Sequence, residues 1–292
     1  MKISFLGGGN MASALIGGLI AKGYAPADIQ VAEIDAAGRS ALSARFSVRV
    51  VPELDARALA CEVLVLAVKP QQLRAALAPL AGRLDRQLVL SIAAGVRMAD
   101  ISRWLDGHAR IVRAMPNTPA LIGRGITGLV AATTVEKADR DRAGHIMDAV
   151  GESLWVNDEA SMDAVTAVSG SGPAYFFYFI EVMMAGAQAL GLDAETARKL
   201  VLATASGAAE LAASSQDAVA TLRARVTSKG GTTAAALEVM QDGGLDGLVL
   251  RALRAAATRG RELGDEMGDD HGVNPSERPA GSKRTRTLPT EE

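Results

Sequence analysis

The sequence predicts an α/β protein: an N-terminal Rossmann-type doubly wound sheet followed by an all-α domain. Three observations carry that expectation. Met1 to Tyr24 reads as a short apolar strand, a glycine turn and an Ala/Leu/Ile-rich helix. Strand-length apolar runs then alternate with helix-length segments as far as Val156. From about Asn157 the alternation stops, and every later segment up to Leu263 carries helical spacing. The expected boundaries are 1–157 for the α/β unit, 158–264 for the helical unit and 265–292 for a polar, disordered tail.

Taken in order, Lys2 to Leu6 is the first strand. Gly7-Gly8-Gly9-Asn10-Met11-Ala12 breaks it with the pattern G-x-G-x-x-A, and a helix follows to Lys22-Gly23. That order and spacing match the dinucleotide-binding fingerprint. Gly7 allows the tight turn, Gly9 leaves room for a pyrophosphate against the backbone, and Ala12 lets helix and strand pack closely. The free N–H groups and positive dipole end of the helix then face the phosphates. Asp28 to Glu33 reads as the second strand, Ala36 to Phe46 as a helix and Ser47 to Val51 as a third strand. Glu62 to Val68 is nearly all apolar, as a parallel strand covered on both faces must be. Gln71 to Leu80 reads as a helix, Gln87 to Ser91 as a strand and Met98 to Leu105 as a helix. Arg110 to Met115 is a strand ended by Pro116, while Gly125 to Ala131 and Ser153 to Val156 flank a helix from Glu136 to Val150.

The second half reads as helices over Ser161 to Val168, Pro173 to Leu190, Asp193 to Ala213, Asp217 to Arg225, Thr232 to Gln241 and Leu245 to Leu263. Pro173 suits a first helical turn, Gly191 a helix stop and Asp193 an N-cap. This half is rich in Ala and Gly and too thin to bury much alone. It is expected to pack against a second copy of itself, giving a homodimer or a higher homo-oligomer.

Bulk properties narrow the function. The 292 residues suit about two domains. Apolar residues are 49% of the chain and aromatics 3%, so the core must come from Ala, Leu, Val and Ile. A net charge of -2 gives no electrostatic reason to expect nucleic acid or an anionic membrane as partner. The only cysteine, Cys61, precludes an internal disulfide and suits a reducing cytoplasm, with an inert core thiol favoured over a nucleophile. Met1-Lys2 leads straight into the fingerprint, so no export signal is expected, and no apolar run approaches the roughly 20 residues of a membrane span. A cytoplasmic, soluble protein is expected, with no metal. His108, His145 and His271 are expected at the surface.

Ligands of an open α/β sheet lie beyond the carboxyl ends of its strands. The segments there are Gly7 to Asn10, Ala67-Val68-Lys69-Pro70-Gln71, Ala93-Ala94-Gly95-Val96 and Pro116-Asn117-Thr118-Pro119. Each alone is a bare turn or part of a groove; together they favour one cofactor groove. Lys69 is either a phosphate neighbour or a surface lysine. Glu33 ends the second strand, where an acid bonds the ribose 2′-hydroxyl and disfavours a 2′-phosphate, while Arg39 offers a cation against it. Two polar glycine stretches precede helices of the second half. They are Ser169-Gly170-Ser171-Gly172-Pro173-Ala174 and Val226-Thr227-Ser228-Lys229-Gly230-Gly231-Thr232-Thr233. Capping turns account for one hydroxyl per helix, but not for the four hydroxyls and two glycines of the second stretch. That stretch reads as a seat for a substrate carboxylate.

Together these segments, with Ser91 to Val96, Arg113 to Ala120 and Ala167 to Tyr175, resemble the pyrroline-5-carboxylate reductases. The resemblance is collinear from Met1 to about Leu263. It implies hydride transfer from NADPH or NADH to a cyclic imine, giving L-proline, in a Rossmann domain joined to a helical domain that interlocks with a partner subunit. It implies cofactor contacts at Gly7, Gly8, Gly9, Asn10, Met11, Ala12, Glu33, Ala67, Val68, Lys69, Pro70, Ala93, Ala94, Gly95 and Asn117. Substrate contacts fall to Ser171, Ser228, Gly230, Gly231, Thr232 and Thr233, with Thr233 beside the ring nitrogen as the catalytic candidate. The family accepts both NADP and NAD; Glu33 on electrostatics alone favours NADH. One departure lies at Pro52-Glu53-Leu54, where relatives often place an asparagine. The rivals are a β-hydroxyacid or 6-phosphogluconate-type dehydrogenase, for which Lys199 lacks the expected motif, and a non-catalytic nicotinamide sensor.

Overall fold

A computed structural model describes residues 1–268. The first half runs β1 (Ile3–Leu6), α1 (Asn10–Ala21), β2 (Ile29–Ala32), α2 (Ala36–Phe46), β3 (Arg49–Val51), α3 (Ala56–Leu59) and β4 (Val63–Leu66). It continues α4 (Pro70–Leu77), β5 (Leu88–Ser91), α5 (Met98–Trp104), β6 (Ile111–Met115), β7 (Gly125–Ala131), α6 (Lys137–Met147) and β8 (Gly151–Trp155). The sheet order is β3-β2-β1-β4-β5-β6-β7-β8. β1 to β6 are parallel, in the Rossmann order whose reversal falls between β1 and β4. β7 turns back antiparallel to β6 because the segment 116–124 is too short to hold a crossover helix. β8 then pairs parallel to β7 after α6.

Register decides where the loops meet. Leu6 sits beside Ala32 and Leu66, and Leu66 beside Ser91. The next residues, Gly7, Glu33, Ala67 and Ile92, therefore share one edge. The apolar run in β4 serves two layers. Val63 and Val65 join Phe5, Leu15, Ile16 and Leu90 on the α1 side. Leu64 and Leu66 join Leu73, Leu77 and Ile101 on the α4 and α5 side. Cys61 is free and buried at the rim of the second layer, where burial pushes its thiol pKa up. It is an inert core thiol.

The second half holds α7 (Ser161–Val165), α8 (Gly172–Ala189), α9 (Ala194–Ser214), α10 (Val219–Arg225), α11 (Thr232–Asp242) and α12 (Leu245–Gly268). Pro173 stands in the first turn of α8, Gly191 has a φ of 95°, and the Asp193 carboxylate accepts the Thr196 N–H at 2.9 Å. Two expectations need correction. Ser169-Gly170 is no loop: residues Thr166–Gly170 form a wide π-type turn, closed by Ser171 N–H on the Thr166 carbonyl, that keeps α7 and α8 continuous. α12 also runs on to Gly268, so residues 265–268 are helical, held by packing on α5. The rest of the expected tail, 269–292 with His271, lies outside the described residues.

This half buries little. Phe176, Phe177 and Tyr178 of α8 are 71%, 63% and 68% exposed, and α10 and α11 bury no residue. Among the described residues no helix is long and apolar enough to cross a membrane.

Candidate active site

The glycine turn is shaped by contacts that a side chain would break. Gly7 has a φ of 101°, and a Cβ there would stand 2.8 Å from the Ala67 carbonyl oxygen and 2.8 Å from Val68 Cγ1. Its N–H donates to the Ala32 carbonyl at 2.8 Å. Gly9 differs: it is the N-cap of α1, and a Cβ there would meet nothing within 4 Å. The first helical hydrogen bond is Ser13 N–H to the Gly9 carbonyl, 2.8 Å. The amides of Asn10, Met11 and Ala12 have no acceptor among the described residues, and no side chain caps them. Open space beside uncapped amides at a helix start fits a pyrophosphate. Ala12 itself is buried in the core.

Glu33 follows β2 and turns back on the loop. Its Oε2 accepts the Gly8 N–H at 2.9 Å and its Oε1 the Asp35 N–H at 2.9 Å. Arg39 does not answer this charge directly: its Nη1 donates to the carbonyls of Glu33 (3.0 Å) and Ile34 (2.8 Å). Pro70 opens α4 with Lys69 as an exposed N-cap. Ala93 is buried where β5 ends, and Gly95 packs under α12 near Leu263 and Gly264. Asn117 is buried after β6 with both amide atoms engaged: Oδ1 accepts the Ile126 N–H at 3.0 Å, and Nδ2 donates to Ser169 Oγ at 3.3 Å.

The fifteen cofactor residues expected above thus lie along the carboxyl edge of the sheet or in α1. The Ser169–Ser171 turn joins them, because Asn117 bonds it and Met115 Cε lies 2.4 Å from where a Gly170 Cβ would be. The stretch 226–233 does not join them within one chain. Gly231 is the uncapped N-cap of α11, its N–H donates to the Ser228 carbonyl at 3.0 Å, and Thr227 Oγ1 donates to the Arg223 carbonyl. Among the described residues no hydrogen bond or ion pair of this stretch reaches the sheet.

Among the described residues no histidine lies at the edge. His108 is half-buried rather than at the surface, bonded through Nε2 to the Gln87 carbonyl at 2.9 Å before β5, on the opposite edge. Burial pulls its pKa down. His145 Nδ1 bonds the Asp141 carbonyl at 2.6 Å, in α6. Sequence reasoning missed Glu159, which pairs with Arg113 of β6 at 2.6 Å. Part of the signal was present, since an arginine inside a core strand demands an acid beside it, though not which one.

Comparison with known proteins agrees with this geometry. Residues 159–263 match the family model described as pyrroline-5-carboxylate reductase dimerisation, and residues 2–95 that described as NADP oxidoreductase, coenzyme F420-dependent. A pyrroline-5-carboxylate reductase of Pseudomonas aeruginosa is 47% identical over 269 residues, covering 91% of this chain and 98% of that protein. The structure of a pyrroline-5-carboxylate reductase from Coxiella burnetii superposes with a TM-score of 0.86 at 42% identity, covering 90% of this chain and 98% of that one. The pyrroline carboxylate reductase of Plasmodium falciparum, solved with NADP bound, gives a TM-score of 0.80 at 27% identity over 90% and 98%. A Rossmann edge built for a dinucleotide, continued into a helical half of this kind over nearly the whole length of such relatives, leaves one assignment: the chain belongs to the pyrroline-5-carboxylate reductase family.

Proposed function

We propose that the protein reduces the cyclic imine 1-pyrroline-5-carboxylate to L-proline with NADPH or NADH, in the cytoplasm, as a homodimer or larger homo-oligomer. The observation that carries this reading is that the chain matches 98% of a protein of this name while keeping both halves of the expected site. The amides of Asn10 to Ala12 hold the pyrophosphate and Glu33 faces the adenosine ribose. Ala67 to Pro70, Ala93 to Gly95 and Asn117 shape the seat of the nicotinamide. When bound, the reduced nicotinamide supplies the hydride that the imine carbon accepts.

The uncapped start of α11 offers the Gly230, Thr232 and Thr233 amides to the substrate carboxylate, the Gly231 N–H being held by the Ser228 carbonyl, with the Ser171 and Ser228 hydroxyls beside it. Thr233 Oγ1 lies next to the ring nitrogen. A protonated imine is already electrophilic, so the chain needs only to bind, orient and exclude water, and no histidine is required. The bare apolar faces of α8 to α12 are covered by a second copy, whose own 226–233 stretch closes the groove that one chain leaves open. The test is NAD(P)H oxidation with the imine as substrate. Thr233→Ala is expected to lower kcat/KM for the imine about 10–100-fold, the worth of one hydrogen bond to a charged group, with cofactor Kd unchanged. Tight cofactor binding without turnover by the wild type refutes the reading in favour of a nicotinamide sensor. A monomer by light scattering at micromolar concentration refutes the pairing.

A further inference from the structure

The turn after β5, which carries Ala93, Ala94 and Gly95, is held from outside the Rossmann half. Glu159 stands in the segment joining β8 to α7. Its Oε1 accepts the Met98 N–H at 2.8 Å and Arg113 Nη1 at 2.6 Å. Met98 begins α5, directly beyond the Gly95 turn, and Arg113 lies in β6, shortly before Asn117. A single carboxylate at the domain junction therefore fixes the flanks of both loops that shape the nicotinamide seat. A second tether comes from α12, where Asp265 Oδ1 pairs with Arg97 Nη2 at 2.6 Å. Gly264 presses so close that a Cβ there would be 2.9 Å from the Gly95 carbonyl oxygen.

The two tethers are not equivalent. Arg97 and Asp265 are both well exposed, so water screens their pairing. Arg113 is 7% exposed and Glu159 is partly buried, so their charges meet in poor solvent. Ion pairs with one buried partner gain little net stability over apolar replacements, so what this one adds is a fixed orientation. We propose that Glu159 is a positioning residue for hydride transfer, holding the Gly95 turn and the Asn117 loop at the separation that seats the nicotinamide against the substrate. The proposal rests on the cofactor reading given above.

The experiment compares wild type, Glu159→Ala, Glu159→Gln and Asp265→Asn by three readouts. These are NADPH affinity from its fluorescence without imine, steady-state kcat and KM, and the thermal midpoint. Glu159→Ala is expected to weaken NADPH binding about 5-fold and lower kcat about 10-fold or more, as misplacement of a reacting group does, with imine KM within about 2-fold. Glu159→Gln keeps an oxygen for the Met98 N–H and recovers most of both, yet melts below wild type because Arg113 loses its counter-charge. Asp265→Asn stays within about 2-fold of wild type throughout. Should Glu159→Ala not fold, the double variant Arg113→Met with Glu159→Gln keeps the Met98 acceptor but cuts the link to β6, and a kcat about 10-fold below wild type with imine KM within about 2-fold is expected of it. Wild-type NADPH affinity and kcat in folded Glu159→Ala overturn the proposal, as does Glu159→Gln matching Glu159→Ala in kinetics. So does a folded double variant with wild-type NADPH affinity and kcat. A wild type that binds NADPH without reducing the imine sinks the functional reading alone, since the affinity readout still decides the role of Glu159.

Discussion

The same small change, glycine to alanine, has opposite consequences at two positions of the β1–α1 turn. At Gly9 the backbone is extended (φ -65°, ψ -174°) and the space beyond the missing Cβ is open. Alanine is a poorer N-cap than glycine by about 0.5–1 kcal/mol. It also removes about 0.4–1 kcal/mol of unfolded-chain freedom, so stability stays nearly constant and Tm moves by less than about 3 °C. The methyl group would, however, fill the open space beside the Asn10 to Ala12 amides, where the proposed function seats a pyrophosphate. Loss of one charge-assisted hydrogen bond, about 1.5–3 kcal/mol, weakens cofactor binding about 10–100-fold. At Gly7 the balance reverses. A φ of 101° costs an alanine about 1–2 kcal/mol, and a Cβ placed 2.8 Å from the Ala67 oxygen adds about 1–3 kcal/mol of overpacking. The sum, about 2–5 kcal/mol, lowers Tm by about 4–20 °C. Thermal melts and NADPH fluorescence titrations on both variants check this. A folded Gly9→Ala protein with wild-type NADPH affinity, or a Gly7→Ala protein with wild-type Tm, refutes the reasoning.

Two further outcomes follow from charges near the groove and at the edge of the sheet. Glu33→Gln keeps an oxygen for the Gly8 N–H but removes the negative charge, so kcat/KM for NADPH relative to NADH is expected to rise about 5-fold, the worth of roughly 1 kcal/mol of repulsion; an unchanged ratio removes Glu33 from cofactor choice. Asp55 is held down to a pKa of about 2 by hydrogen bonds from Arg49 and from the Ala58 N–H. Its folded pKa lies below its unfolded one, so its stabilisation is complete above pH 3.8 and fades as pH falls towards 2. Wild type should therefore lose Tm faster than Asp55→Asn across that window, and parallel curves would contradict the assignment.

Much of the Rossmann half was legible because its determinants are local. Gly7, Gly9 and Ala12 follow one strand–turn–helix pattern that is readable within a dozen residues, and parallel register then brings Glu33, Ala67 and Ile92 to the same edge. What sequence spacing missed there depends on distant partners. Glu159 meets Arg113 and Met98 across 46 and 61 residues of chain, a closeness no periodicity encodes. The Ser169-Gly170 stretch misled for a different reason. Its serines and glycines have the composition of a loop, yet the wide turn stays helical because Met115 fills the space left by Gly170 and Asn117 bonds Ser169.

The helical half marks where a single chain runs out of information. A helix apolar on every side belongs inside something, and α8 presents Phe176, Phe177 and Tyr178 to solvent when the chain stands alone. The start of α11 has the same deficit in polar form, with amides that no side chain caps and a turn whose hydrogen bonds stay local. Both deficits are met at once if a second copy covers α8 to α12, because the surface that completes the apolar core also carries another 226–233 stretch towards an open groove. The sequence could therefore name Gly230 to Thr233 by composition, but under the proposed pairing their distance from Gly95 and Asn117 is a property of the assembly. For that reason mixing two impaired variants, Gly9→Trp and Thr233→Ala, is the sharpest check on the pairing. Subunits that complement one another must share a site, whereas a site complete within each chain predicts mixtures no more active than either parent.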